Sequence, residues 1–299
     1  MTGETIRLSL VVTTLGRLDA LRTLLGSLDG QLRDGDDLVL VAQGEVDRVR
    51  ALAAEFAGVL PITVAESGRG ATRGRNAGVE SLPGGDTVLA FPNDTSVYPP
   101  GTLEAVRREI AAAGAGFLSG GMASHDERGP KSALPDPGTP LDRVNLWTVI
   151  EMGLLIRRRL FDEIGGFSLD FGPGQPTPWQ AGEAADLLLR ALAAHPELAR
   201  EFRWLPRRIH VGGISTGFGL DGAGRRRKLR SYGRGTAQVL ARHPYPWWWR
   251  SAYVGAGLVF GLRNPRPIRA ADGWWMFLGR LEGSLGTTFG SSDLVSTTR

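Results

Sequence analysis

The stretch Thr87–Pro100, TVLAFPNDTSVYPP, combines a buried strand, a polar turn and the start of a helix. Its apolar run Val88–Phe91 is typical of a central strand in a parallel sheet. Asn93, Asp94 and Thr95 follow, and a proline pair then leads into the helical pattern TLEAVRREIAAA. A polar cluster at the carboxyl end of a buried strand is where open α/β sheets bind ligands. The alternative is an ordinary turn in which Asn and Asp serve as turn and cap residues.

The amino-terminal part of the chain repeats this alternation of strands and helices. Apolar runs predict strands at 8–14, 36–42 and 60–65, and helical spacing of apolar residues predicts helices at 15–28 and 46–56. This order predicts a nucleotide-binding half of a doubly wound sheet. The turn after the first strand lacks Gly-x-Gly-x-x-Gly, and the chain has no Walker phosphate loop. NAD and ATP chemistry are therefore disfavoured.

Composition restricts the class of protein and its partners. The chain has 299 residues, of which 42% are apolar and 22% charged, as is ordinary for a soluble globular protein. The absence of cysteine excludes disulfides and thiolate metal sites. No signal-peptide pattern opens the chain, so we expect a cytoplasmic protein.

Positive charge is concentrated in one segment. From Arg203 to Arg250 the many basic residues are opposed only by Asp221, although the net charge of the whole chain is just +4. Such a segment suits the phosphates of a nucleotide or of an anionic lipid head. We expect no nucleic-acid partner, because the aromatic residues do not alternate with the arginines as in a stacking platform.

Two arginines stand at the start of a further predicted helix, in GATRGRNAGVESL (70–82). Arg73 and Arg75 lie in its first turn, where cations oppose the helix dipole. A bound anion would relieve this conflict, and Arg75 is suited to gripping a diphosphate bidentately. The alternative is a solvent-exposed basic turn.

Two stretches in the middle of the chain have weaker patterns. The polar residues, glycines and prolines of 119–140 predict a surface loop in which His125 and Asp126 are solvated. The apolar stretch 145–157 predicts one or two strands, with Glu151 able to face a cleft.

Four segments carry a family resemblance. They are LSLVVTTLGR (8–17), GATRGRNAGV (70–79), FPNDTSVYPPGTL (91–103) and FGPGQPTPWQAGEAADLLLRAL (171–192). In this order they resemble the family 2 glycosyltransferases, which are inverting enzymes of the GT-A fold that use nucleotide-diphosphate sugars. A later His210, in HVGGIS, is similar to the histidine that often completes the metal site of that family.

The resemblance implies a GT-A-type α/β fold and a hexosyltransferase activity in bacterial polysaccharide assembly, with rhamnosyltransferases among the similar enzymes. It also implies roles for individual residues. Those expected to bind the donor are Thr13, Thr14, Arg17, Gln43, Arg75, Asn76, Asn93 and Asp94. The resemblance further implies that Glu183 is the catalytic base, with Asp186 as its deputy, and that Trp179 contacts the acceptor. Without the resemblance, the two acids would be ordinary first-turn residues, and Trp179 is equally well explained as a core aromatic at a loop anchor.

The expected metal motif is altered. Its family form is usually Asp-Asp-Asp or similar, whereas Asn93 and Thr95 flank a single Asp94 here. Because hard cations prefer anionic oxygens, binding of Mg²⁺ or Mn²⁺ should be weakened. In the arrangement that we slightly prefer, Asp94, Thr95 and His210 hold a weaker metal together with the donor phosphates. Alternatively, Arg75 and other basic residues replace the metal, or catalysis has been lost and the protein is a nucleotide-sugar-binding or scaffold protein.

The C-terminal part departs from the resemblance. A basic helical pattern at 225–243 precedes tryptophans at 247–249 and an apolar run at 251–262 that is too short to span a bilayer. This combination fits a helix lying on the inner face of the plasma membrane. The alternative is a helical pair packed on the catalytic domain or on a second subunit.

The predicted organisation is a GT-A domain over 1–220, a basic and aromatic helical appendage over 221–285 and a disordered tail over 286–299. The expected partners are a UDP- or dTDP-linked sugar and a glycan, lipid-linked or small-molecule acceptor.

Overall fold

The computed structural model of the protein describes residues 6–126, 129–131, 133–213, 220–264 and 268–290. The chain divides into two compact units. The first consists of the described parts of Met1–Gly68, Gly74–Gly166 and Leu187–Ser215, and the second of those of Arg69–Arg73, Phe167–Asp186 and Thr216–Arg299. The predicted boundary between residues 220 and 221 stays a prediction.

The first unit is built on a seven-stranded sheet of order β3-β2-β1-β4-β8-β5-β9 and a three-stranded sheet of order β10-β6-β7. The strands are β1 (Leu8–Thr14), β2 (Asp37–Ala42), β3 (Ile62–Glu66), β4 (Val88–Ala90), β5 (Ser119–Gly121), β6 (Ala123–Asp126), β7 (Gly129–Pro130), β8 (Leu154–Arg157), β9 (Arg203–Trp204) and β10 (His210–Val211). In the larger sheet β3, β2, β1 and β4 are parallel, and β8 runs antiparallel to β4 and β5.

Helices connect and cover these strands. They are α1 (Leu18–Leu28), α2 (Val46–Phe56), α3 (Ala71–Glu80), α4 (Thr102–Ala113), α5 (Arg158–Glu163), α6 (Glu183–Ala194) and α7 (Leu198–Glu201), of which α3 and α6 begin in the second unit. β1 and β2 are buried along almost their whole length, as parallel strands covered on both faces require. The strand predicted at 8–14 and the helix predicted at 46–56 are confirmed with the same bounds.

One prediction in the middle of the chain is wrong, and another is confirmed in part. Within the stretch 119–140 that was expected to form a loop, β5 pairs with β8 and β9 inside the large sheet. Gly120 is required there because a Cβ would lie 2.8 Å from the carbonyl oxygen of Arg203. A strand without branched or aromatic residues carries no propensity signal. Within 145–157, where one or two strands were expected, β8 is one strand, and two short 3-10 turns occupy the part before it.

The second unit is dominated by α8 (Gly222–Arg242), α9 (Trp247–Gly255), α10 (Phe260–Arg263) and α11 (Asp272–Leu285). α8 and α11 lie close together because glycines face the partner backbone: a Cβ at Gly279 or Gly283 would overlap the carbonyl of Arg230 or Arg234. The apolar run at 251–262 is divided between α9 and α10. Among the described residues, no helix is both long and apolar enough to cross a membrane. Most of the tail that was predicted to be disordered, 291–299, lies outside the described residues.

Buried ion pairs join α8 to α11. Glu282 accepts hydrogen bonds from Arg230 and Arg234, and Asp272 accepts them from Arg225 and Arg226. Both carboxylates are fully buried. Their burial opposes ionisation, but the arginine partners and backbone N–H groups outweigh it, so the pKa of each carboxyl lies below its ordinary value.

Candidate functional site

Polar side chains gather at the carboxyl ends of β1, β2 and β4 in the first unit. Thr13 and Thr14 end β1, Gln43 follows β2, and the polar triplet follows β4. Thr13 and Asn93 form an isolated parallel bridge, which extends the pairing of β1 and β4 as far as the triplet. The fold thus brings these predicted donor residues to one edge of the sheet, where α/β sheets bind ligands.

Asp94 is held by an arginine from the turn after β1. Its side chain is 1% exposed, whereas that of Arg17 is 57% exposed. Arg17 donates from Nε to Oδ2 of Asp94 at 3.1 Å and from Nη2 to Oδ1. The Thr14 hydroxyl donates to Oδ2 at 2.8 Å. A fork of N–H donors on both carboxylate oxygens fixes the guanidinium plane, and this side-on pairing leaves the Nη1 donors of Arg17 directed away from Asp94.

A second network surrounds Asn93. Its Nδ2 donates to Oε1 of Glu151 at 3.1 Å, and its Oδ1 accepts from Nη2 of Arg75 at 3.2 Å. The same nitrogen of Arg75 lies 3.5 Å from Oε1 of Glu151, and the Arg75 side chain is buried. The alternative of a solvent-exposed basic turn is therefore wrong for Arg75, which faces protein groups. Glu151 belongs to this network, although it was not among the predicted site residues.

Helix α3 covers part of the edge. A Cβ at Gly74 would lie 2.6 Å from Cγ2 of Thr13 and 2.8 Å from Nε2 of Gln43, so only glycine permits this approach. Gln43 also donates to the hydroxyl of Ser67 at 2.9 Å. Asn76, on the same helix, points its Oδ1 towards Gly166. Gln43 therefore lies between α3 and the turn at Ser67, and Asn76 lies beside the turn at Gly166.

His210 stacks on another histidine. The rings of His210 (β10) and His125 (β6) have centroids 3.9 Å apart and planes inclined by 11°. Partial burial, and then the neighbouring His210, lower the pKa of His125. The prediction that His125 is solvated is therefore wrong, because β10 pairs with β6 and places the two rings together.

The donor atoms of this edge do not fit a resident divalent cation as they are arranged. Both oxygens of Asp94 bind Arg17, Thr95 offers only a hydroxyl, and His210 stacks on His125. Across the part of the chain that the structure describes, no group of three or more His, Cys, Asp or Glu residues could hold a metal ion. A cation at Asp94 would have to displace the guanidinium. The preferred arrangement from the sequence, a weak metal site, gains no support from this geometry.

The residues predicted for catalysis lie at the start of α6, in the second unit. Glu183 is buried, and its Cδ lies 3.6 Å from the position of a Cβ on Gly172, whose φ of +113° favours glycine. Asp186 is also buried and accepts a hydrogen bond from Nε2 of His243 at 2.9 Å. Asp186 therefore contacts His243, the residue that follows α8.

The loop before α6 is held by buried glutamines that the sequence analysis did not single out. Gln180 donates to the carbonyls of Gln175 and Thr177, and Gln175 donates to the hydroxyl of Thr72. Trp179 is only 8% exposed. The expectation that Trp179 contacts the acceptor gains no support from this burial, which agrees with the alternative of a core aromatic that anchors the loop.

Comparisons with known proteins show the fold. No family model and no curated protein matches the chain. Among solved structures, it is similar to Staphylococcus aureus TarS 1-349, with 13% identity, a TM-score of 0.58 and coverage of 95% of this chain and 93% of that one. A mannosyltransferase from Pyrobaculum calidifontis, solved with GDP-Man and Mn²⁺, is 13% identical, with a TM-score of 0.61 and coverage of 94% and 87%.

The same TarS fragment in complex with UDP-GlcNAc is 14% identical, with a TM-score of 0.56 and coverage of 95% of this chain and 93% of that one. These similarities confirm the predicted fold class, a GT-A-type α/β glycosyltransferase fold with a C-terminal helical region.

Proposed function

We propose that the protein is an inverting glycosyltransferase that uses a nucleotide-diphosphate sugar. The observation that supports this most is the buried Asp94, which orients the exposed Arg17 at the ligand-binding edge of a glycosyltransferase-type sheet. Neighbours in fold were solved with UDP, UDP-GlcNAc and GDP-Man. We favour a UDP- or dTDP-linked donor.

In this proposal Arg17 binds the donor diphosphate. Its Nη1 donors point away from Asp94, and a planar guanidinium suits phosphate oxygens. Negative charge grows on the diphosphate as the sugar leaves, so a cation that is already oriented lowers the barrier. This assignment corresponds to the arrangement in which basic residues replace the metal. The residue that binds the diphosphate is then Arg17, whereas the sequence pointed first to Arg75.

Glu183 is the proposed base. The acceptor hydroxyl loses its proton to this carboxylate while its oxygen bonds to the anomeric carbon. The bond between that carbon and the diphosphate oxygen breaks, and its electron pair stays on the diphosphate. We choose Glu183 over its deputy because it stands where the resembled family carries its catalytic base, in AGEAADLLL.

The proposed acceptor is a glycan or a lipid-linked saccharide, with a small molecule as the further possibility, and the proposed setting is bacterial polysaccharide synthesis on the cytoplasmic side of the membrane. A catalytically impaired binding protein is the second candidate. This second candidate is favoured by Asn93, which replaces a carboxylate of the family motif. The amide of Asn93 hydrogen-bonds to Arg75 and Glu151.

Calorimetric titration of UDP, dTDP and GDP tests the donor site, and transfer from the corresponding nucleotide sugars tests catalysis. We expect one nucleotide to bind and its sugar to be transferred. Glu183→Gln should abolish transfer and preserve nucleotide binding, while the exposed Glu80→Gln should change neither. Binding without transfer in the wild type would favour the second candidate. If no nucleotide binds, the donor-site proposal is wrong.

A further inference from the structure

Large apolar side chains are exposed along one stretch of the second unit. Trp247 is 73% exposed and Leu262 67%. The whole set, here called the tryptophan surface, is Trp247, Trp248, Leu258, Val259, Leu262 and Trp274. Side chains of this size are normally exposed singly, and a cluster of them marks an interaction site.

The stretch that carries most of the tryptophan surface has no acidic residue, and its one charged residue, Arg250, is half-buried. Every exposed residue from 247 to 262 is apolar or small, and these residues recur at intervals of three or four. The opposite side packs on α11: a Cβ at Gly257 would lie 2.6 Å from the Cα of Phe277. A Cβ at Gly273 would overlap the carbonyl of Leu258, so the adjacent Trp274 extends the surface.

The surroundings of this surface are positive. The sequence has no Asp or Glu between residues 222 and 271. The two acids that follow, Asp272 and Glu282, are buried and each is neutralised by two arginines. Arg263 and Arg269 are exposed, and Gly261 packs against the backbone carbonyl of Arg269, which places both arginines at the α10 end of the surface.

We propose that the tryptophan surface binds the interfacial layer of an anionic lipid bilayer, with α9 and α10 lying along the membrane. Tryptophan rings favour the depth of the headgroups, and the adjacent arginines pair with lipid phosphates. The apolar side chains enter only the boundary of the acyl region, as in other helices that lie on a membrane. A second copy of the chain is a poor occupant, because the segment 222–271 that carries this surface has no Asp or Glu to pair with these arginines.

This inference goes beyond the proposed function and does not depend on the donor site. A transferase held at a bilayer would meet lipid-linked acceptors in two dimensions. The membrane test below contains no nucleotide and no acceptor, so its failure is separate from failure of the glycosyltransferase proposal.

Flotation of the full chain with phosphatidylcholine vesicles, with and without phosphatidylglycerol, tests the proposal. We expect binding only to the anionic vesicles, weakened by salt. Trp247→Ala and Trp248→Ala should each lower partitioning about tenfold, from the apolar area that they remove. Arg263→Gln and Arg269→Gln should each lower it about fivefold. The matched controls are substitutions of exposed residues elsewhere, which should leave vesicle binding unchanged: Val59→Ser, Val144→Ser and Arg208→Gln.

Contact with lipid is measured directly by quenching of tryptophan fluorescence with brominated lipid. Quenching should occur in the wild type and fall in a Trp247→Phe/Trp248→Phe variant whose circular dichroism is unchanged. The proposal is overturned if anionic vesicles do not bind the wild type, or if the control variants lose binding equally. It is also overturned if sedimentation shows a dimer that Trp247→Ala dissociates, since the surface would then join two copies.

Discussion

Replacing Arg17 with alanine distinguishes two ways of binding a diphosphate: directly by the Arg17 guanidinium, or through a metal ion held by Asp94. In the wild type the guanidinium covers both oxygens of Asp94, whose side chain is 1% exposed. In Arg17→Ala the hydroxyl of Thr14 remains as the side-chain donor to this carboxylate among the described residues. The variant therefore removes the proposed phosphate ligand and at the same time frees an anionic oxygen pair.

The size of each effect follows from exposure. Removing one member of a fully buried ion pair costs about 3–5 kcal/mol. Because the Arg17 side chain is 57% exposed, water replaces part of its interaction, and we expect a loss of about 1–2 kcal/mol in the free energy of unfolding. A charge-assisted contact with the diphosphate is worth about 2–3 kcal/mol, so nucleotide affinity should fall about 30- to 150-fold.

Calorimetry in EDTA and in Mn²⁺ checks the prediction. Wild-type affinity should be the same in both within about twofold. Arg17→Ala should bind weakly in EDTA and regain affinity in Mn²⁺, because the freed Asp94 then offers the anionic oxygens that a hard cation needs. Arg22→Ala is the matched control: this arginine lies on α1 and pairs with the exposed Glu55, so its loss should leave affinity unchanged.

Two results would refute this reasoning. If EDTA abolishes nucleotide binding by the wild type, a metal is needed despite the arginine, and the weak-metal arrangement is correct. If Arg17→Ala binds as tightly as the wild type in EDTA, the diphosphate does not use this arginine.

Three further predictions concern catalysis and the stability of the second unit. Glu183→Gln should lower the rate of transfer at least about 10²-fold, with nucleotide affinity retained; a rate near that of the wild type would remove its role as base. Glu282→Gln should cost about 3 kcal/mol in chemical unfolding, because buried arginines lose their charged partner. Since the pKa of Glu282 is lowered in the folded protein, its contribution is complete above the unfolded value of about 4.3 and is lost as the pH falls through the folded pKa; a variant that loses stability over the same range as the wild type would contradict this. Gly279→Ala should lower the melting temperature because its Cβ overlaps the carbonyl of Arg230, whereas Gly26→Ala, in a helix with free space, should not. Equal melting temperatures for the two glycine variants would show that α8 and α11 adjust to the extra methyl.

The sequence predicts those parts of the fold whose signal is local. β1 and α2 are recovered because a buried parallel strand and an amphipathic helix each leave a periodic pattern in a few consecutive residues. β5 is missed because its residues, Ser119–Gly121, have no such pattern. They form a strand because β8 and β9 offer paired edges on both sides and glycine fits the narrow space, and this information lies in distant residues.

The residues of the candidate site also differ in whether local sequence predicts them. Strand ends and the polar triplet locate Thr14 and Asp94 from the sequence, since the end of a parallel strand is a local feature. The residue that pairs with each charged side chain of the site is distant in the sequence. Arg17 is 77 positions from Asp94, and no periodicity connects them. Glu151 lay in a stretch that was assigned to strands, so its bond with Asn93 could not be anticipated.

Burial assigns the two arginines of the edge to different roles. Arg75 and Arg17 were both candidates for the diphosphate, and the argument for Arg75 was the conflict between its charge and the helix dipole. Glu151 relieves that conflict within the protein, so an external anion is not needed to explain it. The Arg75 side chain is 3% exposed and that of Arg17 is 57% exposed. We therefore expect a ligand that arrives from solvent to meet Arg17 first, whereas Arg75 contacts Asn93 and Glu151.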